Sequence, residues 1–437
     1  MKKSLLAVAA IGAFASAAQA QSSVTVYGIL DVGLYGGTQQ GTTVPTTSTS
    51  GTTVAASRTA SNGLQFGESA EQTSRLGFKG TEDLGGGRQA IFTAEFTLYP
   101  SDPVLSGTTG NGLANRQTFL GLHQNGVGAA TIGTQYTGIF DEAAVTDPGQ
   151  LNNVAGGIIY AVGGVASAVN GQAVNGVDGI SGQNIGFTTR TSNTLKLQSD
   201  AFSGFRVNAS YVMNDSNTYQ TTATAATTGG IQNTNGWGLG ADYTWNKLYV
   251  TAQYQAFKNN TVATGTVNPA GYVLAGTGQL SLTATQTNQA VAVAVSTLDP
   301  LNIQDKQAYA AATYDFGILK AYAQYVNRQV QDNNNTNYNY KRSAEQIGVR
   351  SFVTPTIETW AMAGLGRVTA YGSSNPTANF NGWQLGSNYW LSKRTNLYAI
   401  YGAVNQSTAA LTTAAQPSGV TTNQNAQQYA VGIRHTF

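Results

Sequence analysis

The chain has 437 residues and a formal net charge of +2, with 10% charged residues, 52 Gly and no Cys. A disulfide-stapled scaffold and a Cys-ligated metal site are therefore excluded, and no excess of basic charge points to nucleic acid as a partner. The 22 Tyr, 15 Phe and 5 Trp exclude a polar disordered chain, which would lack aromatic residues. The absence of a long apolar run after the N-terminus excludes a helical membrane protein.

The N-terminal segment 1–20 is typical of a secretory signal peptide. Two lysines precede an apolar stretch over 5–18, and small residues end the segment, so cleavage is predicted before Gln21. A membrane anchor is disfavoured because it needs a longer apolar run. The mature domain is then 21–437, and loss of the two lysines leaves it with equal numbers of basic and acidic residues.

The mature chain alternates between apolar and polar residues with a period of two, which is typical of β-strands. In the segment 205–213, for example, Phe205 and Tyr211 fall on one face, and Arg206 and Asn208 fall on the other. A soluble sandwich alternates in the same way, so this pattern alone does not distinguish burial against a second sheet from burial against lipid.

Two related segments favour lipid. Residues 235–243 and 381–389 both begin with Asn-Gly-Trp and end with Tyr, so each places Trp and Tyr on one face at opposite ends of a strand. Six residues span about 20 Å, which is close to the height of the apolar band of an outer-membrane barrel. Ordinary cross-strand aromatic packing is the alternative.

The pattern predicts an all-β fold, a sixteen-stranded antiparallel transmembrane β-barrel. Short turns alternate with long polar loops, as in bacterial barrels, and the sheet is expected to close because every backbone polar group in lipid must be paired. The predicted strands are 24–35, 73–80, 89–99, 115–123, 127–135, 183–191 (or to Ser199), 205–213, 236–245, 247–257, 305–316, 317–328, 342–353, 357–370, 380–391, 394–403 and 427–437.

Four stretches resemble the general porins of Gram-negative outer membranes, in particular the beta-proteobacterial type. They are SVTVYG at 23–28, SRLGFKGTEDLG at 74–85, NRQ at 115–117 and YAVGIRHTF at 429–437. The resemblance implies an outer-membrane, water-filled barrel that forms a homotrimer and passes small ions and hydrophilic solutes. It also implies a third outer loop folded into the lumen, contacts with outer-membrane lipid, lipopolysaccharide and the barrel assembly machinery, and no cofactor.

The resemblance also implies a role in assembly for the last strand. Tyr429, Val431, Ile433 and Phe437 lie on one face and end in an aromatic carboxyl terminus, which resembles the signal by which the assembly machinery captures barrels. A last lipid-facing strand with no such role is the alternative.

A basic wall at the narrowest point of the lumen is also implied. Its candidates are Arg75, Lys79, Arg116 and Arg190, which match basic positions of the family. Charges inside a water-filled pore shape the passage of ions. The alternative is that these side chains lie at the rim and face solvent or lipopolysaccharide.

An acidic side is expected to face this wall. Its candidates are Asp141, Glu142 and Asp147, in the third loop (136 to about 182), and Glu95, which alternates with apolar residues. Opposed walls of this kind would create a transverse field that orients polar solutes without covalent chemistry. Solvated loop charges are the alternative for each acid.

Two departures from the family leave the sign of ion selectivity open. Relatives often have Gly-Arg-Gln where this chain has Gly133-Thr134-Gln135, so one wall arginine is missing. The stretch 154–166 is apolar and rich in Gly, and it is expected to pack inside the barrel or at the trimer centre.

Two other classes of function compete with a channel. An outer-membrane enzyme would need an activated nucleophile within reach of a base, but His123 and His435 are the only histidines and neither has an evident Ser partner. A surface adhesin is favoured by the Thr- and Asn-rich loops, although the terminal Phe437 argues against it.

Overall fold

The fold is described from a computed structural model of the chain. The described residues are 23–43, 46–47, 53–54, 57–103, 113–160, 186–218, 230–263, 272–275, 279–282, 301–333, 339–369, 377–407 and 423–437. The predicted signal peptide lies outside them.

Seventeen of the described strands form one antiparallel sheet. Two of them occupy a single position, because β2a and β2b both pair with the same side of β1, so the barrel has the sixteen positions that the sequence predicts. The strands are β1 (Ser23–Thr43), β2a (Ser57–Glu68), β2b (Arg75–Gly85), β3 (Arg88–Thr97), β4 (Ala114–Gln124), β5 (Gly128–Tyr136), β6 (Arg190–Ser199), β7 (Phe205–Thr218), β8 (Gly230–Trp245), β9 (Leu248–Ala263), β10 (Leu301–Asp315), β11 (Lys320–Asp332), β12 (Asn339–Phe352), β13 (Ile357–Thr369), β14 (Thr377–Trp390), β15 (Thr395–Gln406) and β16 (Asn423–Thr436).

The sheet closes between its first and last strands. β1 pairs with β16 from Ile29↔Thr436 to Thr42↔Asn423, and every other strand pairs with its neighbours along the chain. Two short ribbons lie outside the barrel sheet: they are Thr46–Thr47 with Thr53–Val54, and Tyr272–Ala275 with Gln279–Leu282.

Short turns and long connections alternate as predicted. The short turns lie at the end of the barrel that also holds both ends of the described chain, and Asn246 and Gly317 adopt the left-handed backbone region there. The third long connection contains the one helix of the described chain, α1 (Gly138–Thr146), which begins after Thr137. Among the described residues, no helix has the length and apolar character needed to cross a membrane.

The alternation of side chains sorts polar residues inward and apolar residues outward. The predicted Trp and Tyr positions face outward, and their rings form cross-strand pairs: Trp237 lies 5.4 Å from Tyr254, and Trp383 lies 5.4 Å from Tyr401. Trp and Tyr side chains on the outer face belong at the membrane borders of a barrel, so we call this set the aromatic girdle.

Strand six differs from the prediction. The sequence predicts it from 183 to 191 or to Ser199, and it does end at Ser199, but it begins only at Arg190, so Arg190 opens the strand. The preceding residues belong to the third loop, because the Thr188 amide donates to Gln307 Oε1 at 2.7 Å and its carbonyl oxygen accepts from Thr137 Oγ1 at 2.7 Å. These contacts replace the strand ladder.

Strand two is also different, because residues 69–74 interrupt it. The Asp31 carboxylate accepts hydrogen bonds from the backbone amides of Glu71 at 2.8 Å and Gln72 at 2.7 Å. The segment therefore turns towards the buried Asp31, and we call residues 69–74 the inward kink. The sequence pattern predicts only the part of this strand that follows the kink.

The closure of the barrel generates a prediction for Phe437. Its backbone exchanges two hydrogen bonds with Gly28, each of 3.1 Å, and its ring lies against Gly28. Deletion of Phe437 removes both bonds and the terminal aromatic ring. We expect several-fold less protein in the outer membrane, with export unaffected, when the two membranes are fractionated.

Phe437→Tyr is the control, because it retains the aromatic carboxyl terminus and should assemble normally. A deletion variant that reaches the outer membrane in wild-type yield would show that this residue has no role in assembly.

Candidate functional site

Arg116 and Glu95 form the centre of a charged site on the inner wall. Arg116 Nε lies 2.8 Å from Glu95 Oε1, and both side chains are buried. Tyr136 accepts from Arg116 at 2.8 Å, and Tyr27 donates to the second oxygen of Glu95 at 3.0 Å. The pairing of β3 with β4 shifts register beside Glu95, and this bulge accommodates Arg116 in the inner layer.

Arg75 and Arg190 complete the group. Arg75 Nε donates to the Thr73 carbonyl oxygen at 2.9 Å, so the inward kink fixes its direction. Both arginines interact electrostatically with Arg116 and with Glu95. We call Arg75, Arg116, Arg190 and Glu95 the arginine cluster; with three guanidinium groups and one carboxylate, its formal charge is +2.

The position of Glu95 differs from the expectation. The sequence predicts this acid opposite the basic residues, but it lies among them and is paired with Arg116. The cause is local: Glu95 and Arg116 are on adjacent strands, and both point inward. Lys79 also points inward from β2b, where its ammonium group lies 5.4 Å from the centre of the Tyr27 ring.

The third loop lies inside the barrel, and its first two acids have basic partners. Asp141 forms an ion pair with Lys196 on β6. Glu142 accepts a hydrogen bond from Tyr249 and lies 3.7 Å from Arg206. Burial raises the pKa of Glu142 above its ordinary value, although the Tyr249 hydrogen bond opposes the shift. The charge of this acid is therefore both balanced by a partner and disfavoured by its surroundings.

Asp147 is predicted to face the lumen, but it does not. It is turned into the barrel wall, where its carboxylate accepts from the Leu151 amide and from Gln346, each at 2.9 Å. Burial raises its pKa as well. The carboxylate therefore caps the turn that follows α1, which is a structural role that the sequence analysis did not consider.

Inward-facing glutamines bind the backbone of the third loop. Gln384 accepts from Asn152 at 2.6 Å and donates to the carbonyl oxygens of Val154 and Ala155 at 3.0 and 3.1 Å. Gln346 accepts from the Ile158 amide at 2.9 Å. Similar bonds join Gln307 to Thr188 and Gln428 to Ala155. These glutamines are not among the residues predicted from the sequence, although their inward parity on successive strands is a usable signal.

Close packing accompanies these bonds. A Cβ atom at Gly402 would overlap the carbonyl oxygen of Ala155, and one at Gly382 would press on Ile158. Ile158 and Ile159 are fully buried in an apolar cluster with side chains from β10 to β14. The described part of the apolar stretch, up to residue 160, thus packs inside the barrel, which was one of the two expected positions; the remainder lies outside the described residues.

The inward kink anchors the part of the third loop at residues 150–153. The Asn153 amide donates to the Ala70 carbonyl oxygen at 2.9 Å, and Gln72 donates to the Gln150 carbonyl oxygen at 2.6 Å. Because the kink also holds Arg75, one segment positions both the loop and part of the arginine cluster.

The two histidines lie elsewhere. His123 Nε2 is 2.9 Å from Asp200 Oδ1 beside the short turns, and His435 Nδ1 is 2.8 Å from Thr395 Oγ1 on the outer face. Neither lies beside the arginine cluster, and neither contact is with a Ser hydroxyl.

A closed sixteen-stranded barrel with a loop fixed in its lumen is characteristic of one class of protein, the transmembrane barrels with an internal constriction. A model of the Gram-negative porin family matches residues 7–409. The chain belongs to this family and is an outer-membrane porin. Membership of the family favours a channel over an enzyme.

Two relatives of known name have similar sequences. An outer membrane porin protein of Bordetella pertussis is 28% identical over 457 positions, covering 100% of both chains. Outer membrane porin protein 32 of Delftia acidovorans is 38% identical over 107 residues, which are 24% of this chain and 25% of the relative.

Solved structures share the fold. The anion-selective porin from Comamonas acidovorans has a TM-score of 0.60 at 20% identity, with 95% of this chain and 100% of that chain covered. The trimer form of OmpT from Vibrio cholerae has a TM-score of 0.55 at 16% identity, with 95% and 99% covered.

The glutamine contacts generate a prediction. Gln384→Leu leaves the polar groups of Asn152 and the carbonyl oxygens of Val154 and Ala155 without this partner, at a cost of about 1–3 kcal/mol for each buried group left unpaired. We expect a more mobile third loop and therefore larger current fluctuations in single-channel recordings.

Gln427→Leu is the matched control, because Gln427 is exposed on the outer face and does not face the loop. Current noise in Gln384→Leu equal to that of the control would contradict the assigned role of Gln384.

Proposed function

We propose that the protein is a channel for passive diffusion of ions and small hydrophilic solutes across the outer membrane, with a preference for anions. The observation that carries the preference is the imbalance within the arginine cluster, where Glu95 is the one carboxylate beside three arginines. The proposal assigns no covalent chemistry to the lumen.

The acids of the described part of the third loop offset this imbalance only in part. Asp141 is paired with Lys196, and Glu142 lies beside Arg206. Arg206 also binds Asp242 at 2.9 Å, so these two acids and one arginine keep a formal charge of −1, against +2 for the arginine cluster. Paired charges largely cancel for an ion passing at a distance, whereas the net charge of the cluster does not. We therefore expect the basic wall to outweigh the acidic side that the third loop provides.

The solved structure from Comamonas acidovorans is described as anion-selective, but its identity to this chain is low. The proposal for this chain therefore depends on the charges of its own residues.

The test is to replace Arg75 and Arg116 with Ser. One charge at about 7 Å changes the energy of an ion in water by about 0.6 kcal/mol, so loss of two charges should lower the ratio of anion to cation permeability several-fold. Zero-current potentials in a salt gradient measure this ratio. The shift should shrink at high salt, because the screening length is only about 3 Å at 1 M.

Two further variants make the test specific. Arg75→Ser alone leaves the Arg116–Glu95 pair intact and should give a smaller shift in the same direction. Lys393→Ser with Arg394→Ser removes two exposed charges at the rim near the short turns. If this rim variant shifts selectivity as much as the Arg75 and Arg116 variant, the arginine cluster does not line the constriction.

We infer that three copies associate through the outer face of β1–β6. On the described part of the chain, the outward Tyr and Trp residues all belong to β7–β16; they are Tyr211, Trp237, Tyr243, Trp245, Tyr254, Tyr314, Tyr325, Trp383, Tyr389, Tyr401 and Tyr429. The outer face of β1–β6 instead carries aliphatic side chains and Phe. A surface covered by neighbouring copies does not meet the membrane borders and has no need of interfacial Tyr and Trp. OmpT, a structural neighbour, has a trimer form.

Paired polar substitutions test this surface. Leu120→Gln with Ile132→Gln changes two adjacent, exposed residues of β4 and β5, and it should lower the temperature at which the oligomer dissociates on denaturing gels of unheated samples. Ile347→Gln with Leu385→Gln changes similarly exposed residues on the girdled face and should not. Equal effects of the two pairs, or monomers under all mild conditions in the wild type, would contradict the proposed interface.

A further inference from the structure

We propose that the lumen holds a binding subsite for aromatic carboxylates, built from the arginine cluster and a row of aromatic rings beside it. The rings belong to Tyr136, Phe140, Tyr160 and Phe187, and we call them the aromatic row. The inference rests on the proposed function, because it names a class of anion that the channel selects. It adds a recognition element that charge alone does not supply.

Neighbouring rings of the aromatic row are in contact. The Tyr136 and Phe140 rings are stacked, with centres 4.2 Å apart and planes inclined by 24°. Phe140 meets Tyr160 edge to face at 6.1 Å, and Tyr160 lies 6.1 Å from Phe187. Phe187 is fully buried, whereas the other three residues are partly exposed. Since the inner wall and the third loop carry these residues, their exposed surface faces the lumen.

The aromatic row lies directly beside the arginine cluster. Arg116 donates to the Tyr136 hydroxyl at 2.8 Å. Both Tyr136 and Tyr160 interact electrostatically with the other two arginines, Arg75 and Arg190, which are themselves partly exposed. The one carboxylate of the cluster is paired with Arg116, so Arg75 and Arg190 carry the net positive charge next to the rings.

An acid at the same place has its own cation. Asp141 follows Phe140 in the chain and forms an ion pair with Lys196. The Lys196 ammonium group also donates to the Tyr136 carbonyl oxygen at 3.2 Å. The charge of Asp141 is therefore balanced where it would otherwise repel a carboxylate.

The backbone holds the aromatic row in place. The Thr137 hydroxyl accepts from the Phe140 amide at 3.3 Å and donates to the Thr188 carbonyl oxygen at 2.7 Å. The Thr137 amide donates to the Thr189 carbonyl oxygen at 3.1 Å. Thr137 thus joins the segment that carries Phe140 to the segment that carries Phe187. A site whose groups are fixed in advance loses less conformational entropy when a solute binds.

This combination fits an aromatic acid better than an aliphatic one. Planar guanidinium groups match the two oxygens of a carboxylate, and they also attract the faces of aromatic rings. A solute ring against the aromatic row gains stacked or edge-to-face contacts in addition to the burial of apolar area. A saturated ring of similar size gains the burial alone. Benzoate and cyclohexanecarboxylate therefore distinguish an aromatic subsite from a merely apolar lining.

Block of the chloride current in single-channel recordings tests the proposal. An acid that occupies the subsite interrupts the current, so its half-blocking concentration reports its affinity. We expect this concentration to be about twofold to tenfold lower for benzoate than for cyclohexanecarboxylate, which is the range of measured aromatic pairs. Benzamide has the ring without the charge and should block more weakly than either acid.

Substitutions locate the effect. Phe140→Leu keeps an apolar side chain and removes the ring, so it should raise the half-blocking concentration of benzoate towards that of cyclohexanecarboxylate; Tyr160→Leu should act in the same direction. Phe140→Tyr retains a ring and should keep the preference. Phe352→Leu makes the matched change at an exposed position beside a short turn and should also keep it. Arg190→Ser should weaken both acids alike, since both carry a carboxylate.

The comparison of two acids separates recognition from support of the loop. Phe140 and Tyr160 also pack against the apolar cluster of the third loop, but a purely structural role would change the block by both acids equally. Chloride current without acid shows that each variant is folded.

Two results would overturn the subsite while leaving an anion-preferring channel intact. They are equal half-blocking concentrations of the two acids in the wild type, and the same ratio of these concentrations in Phe140→Leu and Tyr160→Leu as in Phe352→Leu. A wild-type protein that passes no current, or that prefers cations, would contradict the proposed function and the subsite with it.

Discussion

No water reaches the hydrocarbon core of a bilayer, so a chain that crosses it must pair every backbone N–H and C=O group within the protein. In this chain β1 meets that requirement for the whole sheet. It pairs with β16 over Ile29–Thr42 on one side and with β2a and β2b on the other, so the barrel has no edge strand. An even number of strands then places both ends of the described chain beside the short turns.

The same requirement applies to the loop inside the barrel. Backbone groups of 152–160 that turn away from water need partners on the wall, and Gln346, Gln384 and Gln428 supply them. A glutamine can donate and accept at once, so it can serve an irregular backbone that presents both kinds of group. Buried apolar contacts, such as that of Ile158, add the packing that keeps the loop against β10–β14.

The alternation of residues predicts much of this architecture, because a closed barrel has only two faces and the parity of each residue assigns one of them. The sixteen positions, the outward Trp and Tyr residues and the inward direction of Arg75 follow from that rule. The inward direction of Arg116 does not, because the bulge beside Glu95 breaks the alternation between Arg116 and Leu120. Contacts between distant segments do not. The bulge beside Glu95, the inward kink and the burial of Asp147 depend on which strands are adjacent and on where the loop lies, and a single sequence carries no direct record of either.

The barrel thus has two unlike halves, and the reason is the loop. The described part of the third loop packs against β9–β16, and the arginine cluster points inward from β2b, β3, β4 and β6. The outer surfaces divide in a parallel way: Tyr and Trp border the membrane only on β7–β16, and the wall behind the arginine cluster is aliphatic. Buried contacts such as those of Ile158 and Ile159 brace the half that carries Tyr and Trp from within, whereas the inward kink fixes the direction of Arg75 in the other half.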